Sequence, residues 1–146
     1  MKTKQLDYDY QLTRHFTLGE FLRSGKAVQL NIKNEPDAHK GEAITNEELL
    51  ENLQRLCEEV LEPLRLRFGR ILITSGYRCR ELNKAVGGVF NSQHLRGEAA
   101  DIFVSSTEMA MRYAEFLEKH TNVGQILLES LGRKHKRWLH VGVGRN

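Results

Sequence analysis

The residues best suited to chemistry in this chain are two histidines and an aspartate. His94 and Asp101 stand seven positions apart in "NSQHLRGEAADIFV", with Gly97, Ala99 and Ala100 between them. His140 follows far downstream in "RWLHVGV". Two imidazoles and a carboxylate offer nitrogen and oxygen ligands to a divalent ion. Three protein ligands leave a fourth tetrahedral position for water, the layout of a catalytic zinc site. Gly97 allows a sharp backbone turn, and the two alanines would leave room beside an ion. Each histidine taken alone is equally well a structural residue, so spacing suggests a metal site without deciding it.

Strand periodicity says which way His140 points. Leu139, Val141 and Val143 alternate with Trp138, His140 and Gly142. A period of two turns the first set to a core and presents Trp138 and His140 to the other face, where a cleft can form. Arg78, in "TSGYRCRELN", follows a strand and turn and opens a helix. A guanidinium fixed there can grip a carboxylate with two parallel hydrogen bonds, or can pair with a surface acid. His15, His39 and His120 read as surface residues.

These positions need elements to hold them. The first dozen residues are polar and read as extended or loosely held. "FTLGEFLRSG" reads as a short helix with Thr17 and Glu20 as its capping box, Phe16 and Phe21 as a hydrophobic staple and Gly25 as its end. Lys26 to Ala43 has turn residues and no period, and is read as a loop. Thr45 and Glu48 start the clearest helix, whose stripe runs Leu49, Leu53, Leu56, Cys57, Val60, Leu61 and Leu64. Pro63 should bend or shorten it, and Gly69 closes it. Strands are expected at "ILITSGY", "AADIFV", "QILLES" and "RWLHVGV", the last two joined through "LGRKHK" as a hairpin. Helices are expected at "CRELNKAVGG" and "STEMAMRYAEFLEKH". The pattern is α+β: one domain with helices packed on a small, mainly antiparallel sheet. Residues 1–14 form a polar leading segment and 15–146 the domain.

Composition narrows the class. The chain has 146 residues, 40% hydrophobic and 28% charged, with a net charge of +3. That suits one globular domain with a core. "GRKHKR", Gly132 to Arg137, is a short cationic cluster that reads as a solvated hairpin tip, so no nucleic-acid partner is expected. No window approaches the roughly 18 apolar residues of a membrane span. The opening residues hold no uninterrupted apolar run of a signal peptide, which is read as cytoplasmic synthesis with phage-type release, or as a leader absent from this chain. Cys57 falls on a helical stripe, and two cysteines make no disulfide framework.

Taken together, "SGYRCRELNKAVGG", "NSQHLRGEAADI" and "WLHVGV" resemble the zinc D-alanyl-D-alanine carboxypeptidases and the phage L-alanyl-D-glutamate endopeptidases that cleave peptidoglycan peptides. The shared pattern is S-x-H-x-x-G-x-A-x-D with a distant histidine on a strand, filled here by Ser92, His94, Gly97, Ala99, Asp101 and His140. The resemblance implies Zn2+ held by His94, Asp101 and His140. It implies that Arg78 holds a substrate carboxylate and that Ser92 touches substrate or supports the site. Trp138 joins them as a substrate contact. It also implies a fold like that of the related hedgehog signalling domain, and a peptidoglycan peptide as substrate; a monomer is expected.

One departure shapes the mechanism. Many members carry an acidic residue three positions before the last histidine, and here that position is Arg137. Glu129 is the alternative general base, because the hedgehog relative carries its zinc-site glutamate in a similar "ES" strand end. If Glu129 opposes Trp138 in an antiparallel hairpin, it lies diagonal to His140 on one face, about 7–8 Å away. A slip of one residue turns it away. His135 could polarise the scissile carbonyl, or be an exposed loop residue. The expected activity is that of a carboxypeptidase acting near a D-alanine terminus; an endopeptidase could use the same arginine. The competing class is a non-catalytic zinc module that binds peptidoglycan or a protein.

Overall fold

The computed structural model describes residues 5–131 and 136–144. Two short strands, β1 (Gln11–Thr13) and β2 (Phe16–Thr17), pair at the start and lead into helix α1 (Gly19–Leu22). From Gln5 onward the leading segment is tied down rather than loose, because Leu6 and Leu12 are buried in the core. Glu20 reaches back to accept from both the N–H and the hydroxyl of Thr17, and Phe16 and Phe21 pack with ring centroids 6.1 Å apart.

Gly25 does not simply end that helix. It begins a second, α2 (Gly25–Gln29), within the stretch expected to be loop, and a 3₁₀ turn follows at Pro36–Ala38. The Ser24 hydroxyl caps α2 by accepting the Ala27 N–H. The helix buries only Ala27, so it has no apolar period by which a sequence could announce it.

The long helix forms as its stripe demands. Thr45 and Glu48 complete a capping box at the head of α3 (Asn46–Leu56), and Leu49, Leu53, Leu56, Val60, Leu61 and Leu64 are wholly buried. Pro63 neither breaks nor ends it. A π turn at Cys57–Leu61 comes first, and α4 (Glu62–Phe68) continues beyond. Proline has no N–H to return and its ring would press on the carbonyl four residues back, so a wider turn accommodates it. Cys57 and Cys79 are buried free thiols.

The main sheet has four antiparallel strands in the order β3 (Ile73–Ser75), β4 (Ala99–Phe103), β6 (Lys136–Val143), β5 (Val123–Leu131). Between them come α5 (Arg80–Ala85) and α6 (Thr107–His120). The long helix packs on β6, and α6 packs on β5 and β6. Ala100, Ile102, Leu139, Val141 and Val143 are buried between sheet and helices. The sheet's other face is thereby left for function. No helix among the described residues is long and apolar enough to cross a membrane.

His15 is less exposed than expected, because its ring nitrogen Nδ1 and its backbone N–H both meet the Glu62 carboxylate, at 2.7 and 2.9 Å. Burial acts to raise the Glu62 carboxyl, but these hydrogen bonds outweigh it and hold the group below its ordinary 4.5. A depressed folded value contributes stability above the unfolded value, and that stability is lost as pH falls through the folded one. Glu62→Gln should therefore narrow the drop in unfolding free energy between about pH 6 and pH 3, read by urea titration. An unchanged drop would remove the pair from the acid response.

Candidate metal centre and its cleft

Sheet register assembles the first half of the site. Asp101 and His140 are direct cross-strand partners in β4 and β6, both on the face away from the core. Ala99 shares that face. Ala100 does not; it pairs with Val141 on the core side and leaves no room beside an ion, contrary to expectation. His94 arrives on a 3₁₀ turn, Gln93–Arg96, which Ser92 caps by accepting the His94 N–H at 3.1 Å. Gly97 ends the turn at φ +68°, in the left-handed region where glycine has no steric cost, and sends the chain into β4.

The ligand atoms of His94, Asp101 and His140 lie within 4.8 Å of one another. Asp101 Oδ1 is 3.3 Å from His94 Nε2 and 2.9 Å from His140 Nδ1. What lies behind each ring fixes what it offers in front. His94 Nδ1 is 2.6 Å from the Gly76 carbonyl, which can only accept, so Nδ1 carries the hydrogen and Nε2 its lone pair. His140 Nε2 is 3.2 Å from the Gln125 amide oxygen, so Nε2 carries the hydrogen and Nδ1 the lone pair. Two imidazole lone pairs and a carboxylate oxygen thus converge on one point. Acceptors facing acceptors call for a cation between them, and the donor set suits zinc.

The triad lies in a cleft of about 890 Å³ that Arg78, Ser92, Glu129 and Trp138 also line. The β5–β6 register is the one in which Glu129 opposes Trp138 and Leu127 opposes His140, so Glu129 sits diagonal to His140 on the site face. The Arg78 backbone N–H donates to the His94 carbonyl at 3.0 Å. Its guanidinium Nε is buried without a partner among the described residues. Burial pulls Arg78 below its ordinary value, while the carboxylates of Asp101 and Glu129 oppose that. Arg78 precedes α5 by two residues rather than opening it. His135 lies outside the described residues.

Sequence reasoning missed three supporting residues. Gln125 shares a face with Glu129 by the same period of two, so its signal was present. Asn34 donates to the Leu22 and Tyr77 carbonyls and accepts the Cys79 N–H, clipping the Arg78 loop to α1. Gly76 packs where a Cβ would lie 2.6 Å from Phe21 backbone atoms, and its carbonyl orients His94. Long-range contacts of this kind leave no local pattern.

A family model described as Peptidase M15 matches residues 14–142. None of the curated proteins matches the chain.

The tight packing at Gly76 sets a measurable expectation. Gly76→Ala must displace Phe21 or the Gly76 carbonyl from His94 Nδ1, and should cost about 1–3 kcal/mol of unfolding free energy in urea. Unaltered stability would show that this approach is not close.

Proposed function

The chain belongs to the peptidase M15 family, and from that premise we propose that it is a zinc-dependent metallopeptidase hydrolysing peptidoglycan peptides. The observation that carries the reading is the convergence of two imidazole lone pairs and the Asp101 carboxylate at the floor of an open cleft. His94 through Nε2, Asp101 through Oδ1 and His140 through Nδ1 would hold the ion. Zinc held there would supply Lewis acidity, activating water near neutral pH and polarising a scissile carbonyl.

The chain's own residues do the rest. Glu129, on the wall of the cleft, takes a proton from the attacking water and delivers it to the leaving amine. The new C–O bond forms as the amide C–N bond breaks, and the products are a carboxylic acid and an amine. Arg78 receives a peptide carboxylate, which completes a buried guanidinium whose Nε has no acceptor among the described residues. Ser92 acts through His94, holding the turn that presents it. Gln125 and Gly76 act through the two imidazoles, each keeping a ring rotated with its free nitrogen inward. A terminal D-alanine would offer its own carboxylate to Arg78, as for a carboxypeptidase. An internal acidic residue would offer a side-chain carboxylate to the same group, as for an endopeptidase.

Purified protein is expected to bind one equivalent of zinc and to cleave defined muropeptides. Glu129→Gln should keep the zinc and lose about 10²–10⁴ in turnover. Full turnover in that variant would remove Glu129 from the mechanism, and none from the native chain on any wall peptide would favour a binding module instead. Gln125→Leu should weaken zinc binding by about 10–100-fold against a competing chelator, whereas Gln125→Glu, which keeps an acceptor, should not. Equal affinity in all three would show that Gln125 leaves His140 unaffected.

A further inference from the structure

The helical side of the sheet carries a cavity of its own, apart from the metal-ligand triad. It holds about 350 Å³, within the roughly 300–1,000 Å³ range of small-ligand sites. Phe68, at the end of α4, forms one side. Ser106, Glu108, Met109, Arg112 and Tyr113, at the head of α6, form the rest. None of these residues lines the metal cleft.

Tyr113 marks this cavity as more than a packing gap. Only 3% of the residue is exposed. Its hydroxyl nevertheless has no hydrogen-bond partner among the described residues and is not sealed off, so the cavity is where a partner would meet it. Burial pushes the phenol above its ordinary value, with no hydrogen bond contributing. Buried polar groups are normally paired. Ser106 repeats the pattern: its oxygen accepts the Met109 N–H at 3.0 Å, while its own hydrogen has no acceptor among the described residues.

The surroundings define what would bind. Glu108 and Arg112 pair with each other at 3.0 Å on the exposed rim, so the wall favours neither an anion nor a cation. Phe68 and Met109 add apolar surface. Met109 is held in place by Ser105, whose N–H and hydroxyl both donate to its sulfur at 3.4 Å. The Phe68 ring already packs on Tyr113 and lies under Arg67, so it is a wall and not a platform for stacking an aromatic ligand. A neutral ring with C–H groups on its face and hydroxyls around its edge meets these demands, because each hydroxyl both donates and accepts. A pyranose is such a ring.

We propose that this cavity binds a sugar ring of a glycan strand, as a holding site separate from the metal centre. Resting on the peptidase reading above, that strand is the polymer which bears the cleaved peptides. Because cavity and cleft open on opposite sides of the sheet, the strand that is held is not the strand whose peptide is cut.

Chitotetraose, a neutral chain of N-acetylglucosamine rings, is the probe. Added to the zinc-loaded, nitrogen-15-labelled full chain, it is expected to shift the amide signals of Phe68, Ser106 and Tyr113 saturably. The signals of His94, Asp101 and His140 should stay in place. Tyr113→Phe removes only the hydroxyl, and should weaken binding about fivefold. Its urea midpoint should equal that of the native chain, since no protein partner is lost. It should also cleave a stem peptide free of glycan at the native rate. Absent or misplaced shifts, equal affinity in Tyr113→Phe or a lowered midpoint would overturn the sugar site while leaving a peptidase standing. Saturable shifts at this cavity in a chain that cleaves no wall peptide would uphold the sugar site and remove the peptidase.

Discussion

Everything at the candidate centre depends on one register, the pairing of Asp101 with His140 across β4 and β6. Side chains directly opposed in an antiparallel pair have Cβ atoms about 4.5–5.5 Å apart, close enough to share a cation. A slip of one residue would send His140 into the core and bring Leu139 or Val141 to the cleft. The hydrophobic face prevents that slip. Leu139, Val141 and Val143 are buried against the helices, and exposing even one such side chain costs roughly 1.5–3 kcal/mol. Core packing and site geometry are therefore one constraint read on two faces of the same strand.

The third candidate ligand is held by different means. His94 lies on a short turn and takes its orientation from its surroundings. Ser92 caps the turn, Gly97 lets it reverse, and the Gly76 carbonyl sets the ring. Gly76 is in turn pressed against Phe21, whose own carbonyl accepts the Tyr77 N–H at 2.8 Å. Asn34 ties the same loop to α1 and to Cys79. The N-terminal third thus acts as a brace behind Arg78 and His94, although none of its side chains joins the triad.

Legibility in the sequence follows the range of the forces involved. Period-two alternation in "WLHVGV" correctly gave the face of His140, whereas alternation alone left two hairpin registers open, and the structure has the one in which Glu129 opposes Trp138. The Thr45–Glu48 box and its leucine stripe located α3 for the same reason: both are patterns within a few residues. Helix α2 went unseen because a single turn that buries one alanine carries no period. Ala100 was misjudged because strand alternation was not applied through the whole of "AAD", which separates neighbouring alanines onto opposite faces. The Asn34 clip arises from contacts between distant segments and leaves no residue pattern, while Pro63 marked a disturbance of the helix without saying that it takes the form of a π turn.

The central claim is that three side chains distant in the chain share one divalent ion with a coordination position left open. Crystals grown with zinc, with diffraction measured on both sides of its absorption edge, test this most directly. The account predicts a single strong anomalous peak bounded by His94 Nε2, Asp101 Oδ1 and His140 Nδ1, with its fourth side towards the cleft. A peak elsewhere, or one enclosed by four protein ligands, would contradict it.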